Sequence, residues 1–227
     1  MRASPEQGWI EVLYKTIGMG TSLLSERRVG ETINLLGPIG NHFEVHSRRP
    51  RALLVGGGVG IPPIVFLADT LRRTRDSPPL VMMGSEVPFP FHARPSQILV
   101  PKLPQGVIAA MPLLDDWGIP SRLASLQGYC GCFEGYVTEL ARSWLENQSK
   151  TAHREIEIFA CGPHAMLAAV SALARDHDLP CQVSLEEFMA CAVGGCAGCA
   201  VLIKTPSGPA MKRVCVDGPV FTAETVF

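Results

Sequence analysis

The sequence predicts an α/β protein built on a mostly parallel sheet, with a short antiparallel β segment before it and a small cysteine-rich module after it. Three observations carry this prediction. Between residues 50 and 180, short apolar runs alternate with stretches of helical periodicity. The first of these runs ends in a glycine cluster, "LLVGGGVGIPP" (53–63). Beyond residue 181 the chain concentrates sulfur: "CAVGGCAGC" (191–199) holds three cysteines and three glycines in nine positions.

Taken in order, "WIEVLYKTIG" (9–18) alternates apolar and polar positions as a half-buried strand does. "ETINLLGPIGNHF" (31–43) reads as a strand followed by a Gly-Pro turn. Two or three strands cannot bury a core alone, so residues 1–49 are expected to be the end of something larger. "RALLVGG" (51–57) has the composition of a buried parallel strand, and Pro62 and Pro63 suit the first turn of a helix running to about Arg75. "LVMMG" (80–84), "QILV" (97–100) and "GVIAAM" (106–111) are the next strand candidates. "VTELARSWLEN" (137–147) predicts a helix with Thr138 as N-cap and Leu140, Trp144 and Leu145 on one face. "EIEIFA" (155–160) predicts a strand and "PHAMLAAVSALARD" (163–176) a helix. From 181 onward at most one helical piece and several loops are expected. The domains are therefore drawn at 1–49, 50–180 and 181–227.

Bulk properties narrow the function classes. The 227 residues carry a formal net charge of −1, with no basic stripe of the kind a general nucleic-acid binder shows. "MRASPEQGWI" lacks the apolar core of a secretion signal. The uncharged stretches 52–68 and 188–203 are broken by glycine and proline or are too short, and neither reaches the roughly 20 apolar residues of a membrane span. A cytoplasmic protein that does not engage the membrane is expected. In that setting eight cysteines are not a disulfide framework, and four of them falling after residue 190 point to a metal.

Those four, Cys191, Cys196, Cys199 and Cys215, follow the pattern C-x4-C-x2-C-x15-C. The C-x4-C-x2-C run with a distant fourth cysteine is the spacing of plant-type [2Fe–2S] sites. Gly194, Gly195 and Gly198 can supply positive φ angles, and Ala192, Ala197 and Ala200 add no bulk. The alternative, a four-cysteine zinc site, more often shows two C-x2-C pairs, and one is present here. Cys181 reads as a buried small hydrophobe. "YCGCF" (129–133) is too short to hold a metal alone, which leaves Cys130 and Cys132 as a candidate reactive pair.

The glycine cluster sits between a strand and a helix, where backbone N–H groups and the helix dipole can face a pyrophosphate. Ile61 occupies the position of the third glycine in the strict dinucleotide fingerprint, so a tight turn without a ligand is the competing reading. "FACGPHAM" (159–166) repeats the strand–turn–helix geometry, and two such turns at strand ends can share one ligand. Glu86, just after "LVMMGS", could bind a ribose and favour NADH, or be a solvated carboxylate. A nicotinamide gives up two electrons together, whereas a [2Fe–2S] cluster takes one at a time. If both are bound, a flavin is the group able to connect them. "GMGTSLLS" (18–25), with Gly20, Thr21 and Ser22, is the best flavin-pyrophosphate candidate, although Gly-Thr-Ser is also ordinary turn chemistry.

"GMGTSLLSERRVGETINLLGPIGNHF", "LLVGGGVGIPP", "FACGPHAM", "SLEEFMACAVGGCAGC" and "RVCVDGPVF" occur here in one order. In that order they resemble the electron-transfer subunits of B-type dihydroorotate dehydrogenase, in the ferredoxin–NADP reductase superfamily, over essentially the whole chain. The resemblance implies a ferredoxin-reductase-like fold: a flavin-binding β-barrel whose C-terminal part is 1–49, an NAD-binding domain at 50–180 and a [2Fe–2S] module at 181–227. It implies that Cys191, Cys196, Cys199 and Cys215 hold the cluster, and that Gly57, Gly58, Gly60, Cys161, Gly162 and Pro163 face NADH. Gly20, Thr21 and Ser22 would touch the FAD pyrophosphate, with Gly218 and Pro219 of "DGPVF" near the flavin. It also implies electron transfer from NADH through FAD and the cluster to a flavin-containing catalytic subunit of pyrimidine biosynthesis, in a hetero-oligomer, with no side chain acting as acid or base. Two departures stand out. The family's Arg-Pro-x-Ser flavin motif is absent, so a truncated barrel is expected, and Ala192 stands where glycine is usual. The other readings are a related NAD(P)H-linked reductase subunit, such as a sulfide dehydrogenase, and a non-catalytic remnant lacking flavin.

Overall fold

A computed structural model describes all residues, 1–227. The elements run β1 (Arg2–Ser4), β2 (Trp9–Glu11), α1 (Met19–Ser25), β3 (Arg51–Gly57), a 3₁₀ turn (Gly58–Gly60), α2 (Ile61–Thr74), β4 (Leu80–Gly84), β5 (Arg94–Pro95), β6 (Ala109–Ala110), α3 (Pro112–Asp116) and β7 (Ser121–Ser125). They continue with β8 (Phe133–Glu134), α4 (Val137–Glu146), α5 (Lys150–His153), β9 (Ile156–Cys161), α6 (His164–Asp176), β10 (Cys181–Ser184), β11 (Ala200–Thr205), β12 (Gly208–Arg213), β13 (Val220–Thr222) and α7 (Ala223–Val226).

Seven strands form the central sheet in the order β13-β10-β9-β3-β4-β7-β8, all parallel except β13, which runs antiparallel to β10. The chain builds outward from β3 to β4 and β7, then returns to place β9 and β10 on the other side. The order therefore reverses between β3 and β9, the position at which open α/β sheets bind ligands. Both faces of the sheet are covered. Leu53, Val55, Met82 and Ile158 pack against Leu140, Trp144, Leu167 and Val170 of α4 and α6. Leu54, Val81, Met83 and Phe159 pack against Ile61, Ile64, Val65, Ala68 and Leu71 of α2. Each such fully buried aliphatic side chain contributes about 1.5–3 kcal/mol, which is why α2 and α6 hold without a side-chain cap.

Several expected elements come out differently, each for a physical reason. The strand expected over 9–18 pairs only at Trp9–Glu11, against β1, and 31–43 forms no strand. No neighbouring strand offers these stretches hydrogen-bond partners. "QILV" (97–100) is a loop because the Asp115 carboxylate accepts the Gln97 N–H at 3.0 Å and the Ser96 hydroxyl accepts that of Ile98 at 3.1 Å. "GVIAAM" contributes only β6, paired antiparallel with β5 outside the main sheet. The third strand of the parallel run is instead "SRLAS", whose polar residues hid it. Ser121 and Arg122 are buried, the hydroxyl accepting from the Met111 N–H and the guanidinium donating to the carbonyls of Ile98, Val107 and Ser121. Buried polar groups satisfied in this way cost little. Helix α4 is capped not by Thr138 but at Tyr136, whose N–H donates to the Glu139 carboxylate at 2.7 Å. The segment after 181 holds four strands rather than loops alone. Two of them, β10 and β13, complete the central sheet.

Candidate redox site

The two predicted nucleotide turns meet at the point where the strand order reverses. Strands β3 and β9 are parallel neighbours with Gly56 opposite Cys161, so both chains leave the sheet side by side. The contact between the turns is backbone on backbone. A Cβ at Gly60 would fall on the Cys161 carbonyl, and one at Gly162 would lie 3.1 Å from the Gly57 N and O atoms. Gly57 also faces Met166 Sδ, 2.5 Å from where its Cβ would stand. Gly58, by contrast, is exposed, has φ +54 and opens onto free space. Pro62 and Pro63 remove two N–H donors from the start of α2, which leaves the glycine turn as the richer source of free backbone N–H groups.

Cys161 closes β9 and is buried. Burial pushes its thiol up to about 11, against the opposing effect of a hydrogen bond with Ser184, while nearby Glu186 adds to the rise. It is a neutral thiol at neutral pH and not a base. Pro163 and the start of α6 are exposed beside it. Glu86 is exposed just past the carboxyl end of β4, where the Gln127 side chain donates to its carbonyl at 3.3 Å.

Residues of "DGPVF" reach the same edge. Strand β13 pairs with β10, Ser184 opposite Val220, and the Leu185 N–H donates to the Pro219 carbonyl at 2.9 Å. Residue Asn41, which sequence reasoning missed, ties this loop to the N-terminal segment. Its N–H donates to the Gly218 carbonyl at 2.6 Å, its side-chain amide donates to the Val220 carbonyl at 3.0 Å and its side-chain carbonyl accepts the Val220 N–H at 2.9 Å. Gly40 lies so close that a Cβ there would collide with the Gly218 carbonyl. The signal was present in "GNH", a glycine followed by a residue able to imitate a strand neighbour. Gly20, Thr21 and Ser22 lie in α1, which buries none of its residues. The Thr21 hydroxyl caps its own helix, accepting the N–H groups of Ile17 and Gly18 at 3.0 and 3.2 Å.

The four late cysteines are gathered by a loop and a hairpin. Strands β11 and β12 pair with Ala200 opposite Arg213, which carries Cys199 and Cys215 to the same end. The Cys215 N–H donates to Cys199 Sγ at 3.4 Å, that of Cys196 to Cys191 Sγ at 3.4 Å and that of Gly198 to Cys196 Sγ at 3.4 Å. Such donors favour thiolate over thiol. The Cys191 thiol is pulled down to about 6, first by the Val193 N–H and then by Cys196. Cys199 is lowered chiefly by the Cys215 N–H, while burial raises Cys215. Cys199 and Cys215 are buried, Cys191 is half-buried and Cys196 is exposed.

The loop is shaped less by the glycines than expected. Gly194 is left-handed at φ 80, but the other two left-handed residues are Ala192 at φ 57 and Ala197 at φ 56. Alanine at 192 therefore carries strain where a glycine would carry none. Arg213 braces the loop, donating to the Gly194 carbonyl at 2.9 Å while its own N–H donates to Asp217 at 2.8 Å. No three Cys, His, Asp or Glu side chains converge on a single-ion centre. Amide-to-sulfur hydrogen bonds join the cysteines in two pairs, Cys196 to Cys191 and Cys215 to Cys199. A two-iron cluster takes one pair of thiolates at each iron, whereas a structural zinc needs four sulfurs about 2.3 Å from one point. The donor set fits a [2Fe–2S] group.

Cys181 is buried in β10, with its thiol pushed up to about 12 by burial. Cys130 is exposed, and burial raises Cys132. No helix is long and apolar enough to cross a membrane.

Known proteins share this arrangement. Residues 186–227 match the model of the iron–sulfur cluster binding domain of dihydroorotate dehydrogenase B. A solved structure of an NADH-dependent reduced ferredoxin–NADP oxidoreductase superposes with a TM-score of 0.71 at 26% identity, over 94% of this chain and 67% of that one. The dihydroorotate dehydrogenase B (NAD(+)) electron transfer subunit of Caldanaerobacter subterraneus subsp. tengcongensis is 32% identical over 222 residues, covering 97% of this chain and 76% of that protein. Its counterpart from a Geobacillus species is 34% identical over 217 residues, covering 95% and 73%. With a reductase-like sheet, paired glycine turns and a four-cysteine module at its C-terminus, this chain belongs to the family of electron-transfer subunits of dihydroorotate dehydrogenase B.

Proposed function

We propose that the chain relays electrons between a nicotinamide dinucleotide and a catalytic subunit acting on dihydroorotate, with Cys191, Cys196, Cys199 and Cys215 holding a [2Fe–2S] cluster. When bound, a flavin interconverts two-electron and one-electron transfer, and an iron–sulfur cluster carries single electrons. The chain's own residues position these groups. Gly57, Gly58, Gly60, Cys161, Gly162 and Pro163 would seat the dinucleotide where β3 and β9 part. The glycines admit its backbone-close approach, and the neutral Cys161 thiol excludes water without competing for a proton. Glu86, at the outer end of that edge, would accept from a ribose hydroxyl and disfavour the extra phosphate of NADPH. Residues 1–49, with Gly20, Thr21 and Ser22, and the loop at Gly218 and Pro219 would border FAD. Residues 50–180 form the dinucleotide domain and 181–227 the cluster module in this reading, and the protein works in the cytoplasm.

The relatives' name carries NAD(+), which supports NAD rather than its phosphorylated form as the nicotinamide partner. The catalytic subunit would dock over the exposed Cys196 side of the cluster loop. Phe188 is 95% exposed and Val193 65% exposed in the same stretch, and both would be covered by a partner there.

The observation that carries the reading is the cysteine quartet: two sulfur pairs, each receiving backbone N–H donors, at one end of a reductase-like sheet. The test is an absorption spectrum of anaerobically purified protein, with iron, acid-labile sulfide, zinc and FAD assayed on the same sample. Two irons, two sulfides and one FAD, with the visible bands bleaching on NADH addition, are expected. Zinc in place of iron, or a cluster that NADH leaves oxidised, would overturn it.

A further inference from the structure

Glu157 is the one buried carboxylate in the protein, at 1% exposure on β9, and nothing in the electron path uses it. Its neighbour on β10, Gln182, is buried as well, and its side-chain amide donates to Glu157 Oε1 at 3.0 Å. Both point at one stretch of the N-terminal segment. Gln182 accepts the Glu44 N–H at 2.9 Å and donates back to the Glu44 carbonyl. Glu157 Oε1 lies 2.7 Å from His46 Nδ1, and Oε2 accepts the His46 N–H at 3.4 Å. Just before Glu44, Phe43 sets its ring edge-on to Phe159, centroids 5.6 Å apart.

Together with the Asn41–Val220 exchange, these contacts tie residues 41–46 to β13, β10 and β9 in turn. Arg49 continues the line, donating to the carbonyls of His153 and Ile156 at 3.2 and 2.8 Å. The segment is thus a strap laid across three strands. Side-chain amides imitate the hydrogen bonds of a neighbouring strand, which allows one register and no other. Burying a carboxylate for this purpose is not the most stable choice, since an apolar pair would pack at least as well. What the polar pair adds is position. The strap runs straight into β3, which ends in the nicotinamide turn, and it is preceded by the segment assigned above to the flavin side.

We infer that Glu157 and Gln182 are positioning residues: they lock the strap and thereby set the distance between the flavin-side segment and the nicotinamide turns. The inference rests on the flavin reading above. Hydride transfer needs its reacting atoms about 3–3.5 Å apart, so a strap free to slide by an ångström slows transfer while leaving the dinucleotide's own contacts intact.

The test compares Glu157→Leu, Gln182→Leu and Glu157→Gln with the wild type, each as the full cofactor-loaded chain. Two quantities are read: hydrogen exchange at the Glu44 and His46 amides, and the limiting rate and apparent affinity of NADH-driven bleaching. In the leucine variants exchange at both amides should rise at least ~10-fold. The limiting rate should fall about 10-fold while apparent NADH affinity stays within about twofold. Glu157→Gln keeps a side-chain oxygen for His46 and Gln182 and should recover most of both. Unchanged exchange in the leucine variants would show that these residues do not hold the strap. Faster exchange with an unchanged limiting rate would show that the strap does not set the distance. If Glu157→Leu fails to fold, Gln182→Leu decides both points. A wild type that holds no flavin contradicts the flavin reading instead, and the exchange measurement still decides whether the strap is held.

Discussion

Replacing Gly60 with alanine puts one methyl group where two backbone turns touch. The new Cβ would land on the Cys161 carbonyl and lie 2.5 Å from the Gly162 nitrogen, well inside any real carbon contact. Neither neighbour is a side-chain end that can swing away, so β3 and β9 must separate locally or the turn must rotate. Overpacking of this kind costs about 1–3 kcal/mol, and with backbone on both sides the upper half, about 2–3 kcal/mol, applies. For a chain of this size that lowers Tm by about 4–12 °C. Gly58→Ala is the matched control. Its Cβ meets nothing within 4 Å, but its φ of +54 charges alanine about 1 kcal/mol of left-handed strain. Thermal unfolding of the two variants, followed by NADH titration, separates the effects. Gly60→Ala should lose at least twice the stability of Gly58→Ala and weaken NADH binding by about 10-fold or more, since the turn itself moves. If Gly60→Ala melts with the wild type, the turns are not in backbone contact and the shared dinucleotide site fails with them.

Other outcomes follow from the same geometry. Cys199→Ser and Cys215→Ser should abolish iron binding and lower Tm, because both residues are buried at the open end of the β11–β12 hairpin, whereas Cys196→Ser should cost iron with little loss of fold. Iron content and a melting curve on each variant check this. Alkylation of the intact holoprotein should label Cys130 first, with Cys161 and Cys181 last, since these two are buried and their thiols are raised to about 11 and about 12. Peptide mapping in which Cys181 leads would contradict the packing. His177 is held below the ordinary histidine range by burial, then by His153 and Arg142. The unfolded chain therefore takes up its proton first, and stability should fall as pH drops through about 6.5 toward the lowered value. In His177→Phe that part of the acid-side loss should disappear from the denaturation midpoints. Phe188→Asp should weaken association with the catalytic subunit by about 10-fold or more, with iron content unchanged, as judged by co-purification and titration.

Some of the molecule could be read from residue order alone. Runs of apolar residues such as "ALLV" and "IEIFA" admit few alternatives to buried parallel strands, and the periodicity of α2, α4 and α6 needed no tertiary information. The cysteine spacing named its own chemistry, because thiolates three and five residues apart can present sulfur from one short loop. The sequence was a poor guide wherever a segment's partners lie far along the chain. Strand β7 was invisible since Ser121 and Arg122 look like loop residues until the carbonyls they satisfy, at Ile98 and Val107, are seen beside them. The strands expected in 9–43 mostly did not form, because a strand exists only with a neighbour to share its hydrogen bonds. Asn41 carries only the faint signature of the glycine before it, and Glu157 and Gln182 carry none. Their meaning lies in contacts to Val220, His46 and Glu44, more than 100 residues away in each case. Local sequence thus determined which pieces are strand, helix, glycine turn and cysteine loop, since backbone sterics and burial act over a few residues. Only the tertiary structure decided that two glycine turns share one edge, that the sulfurs form two pairs, and that a strap joins the ends of the chain, since hydrogen bonding and packing join residues by distance and not by order.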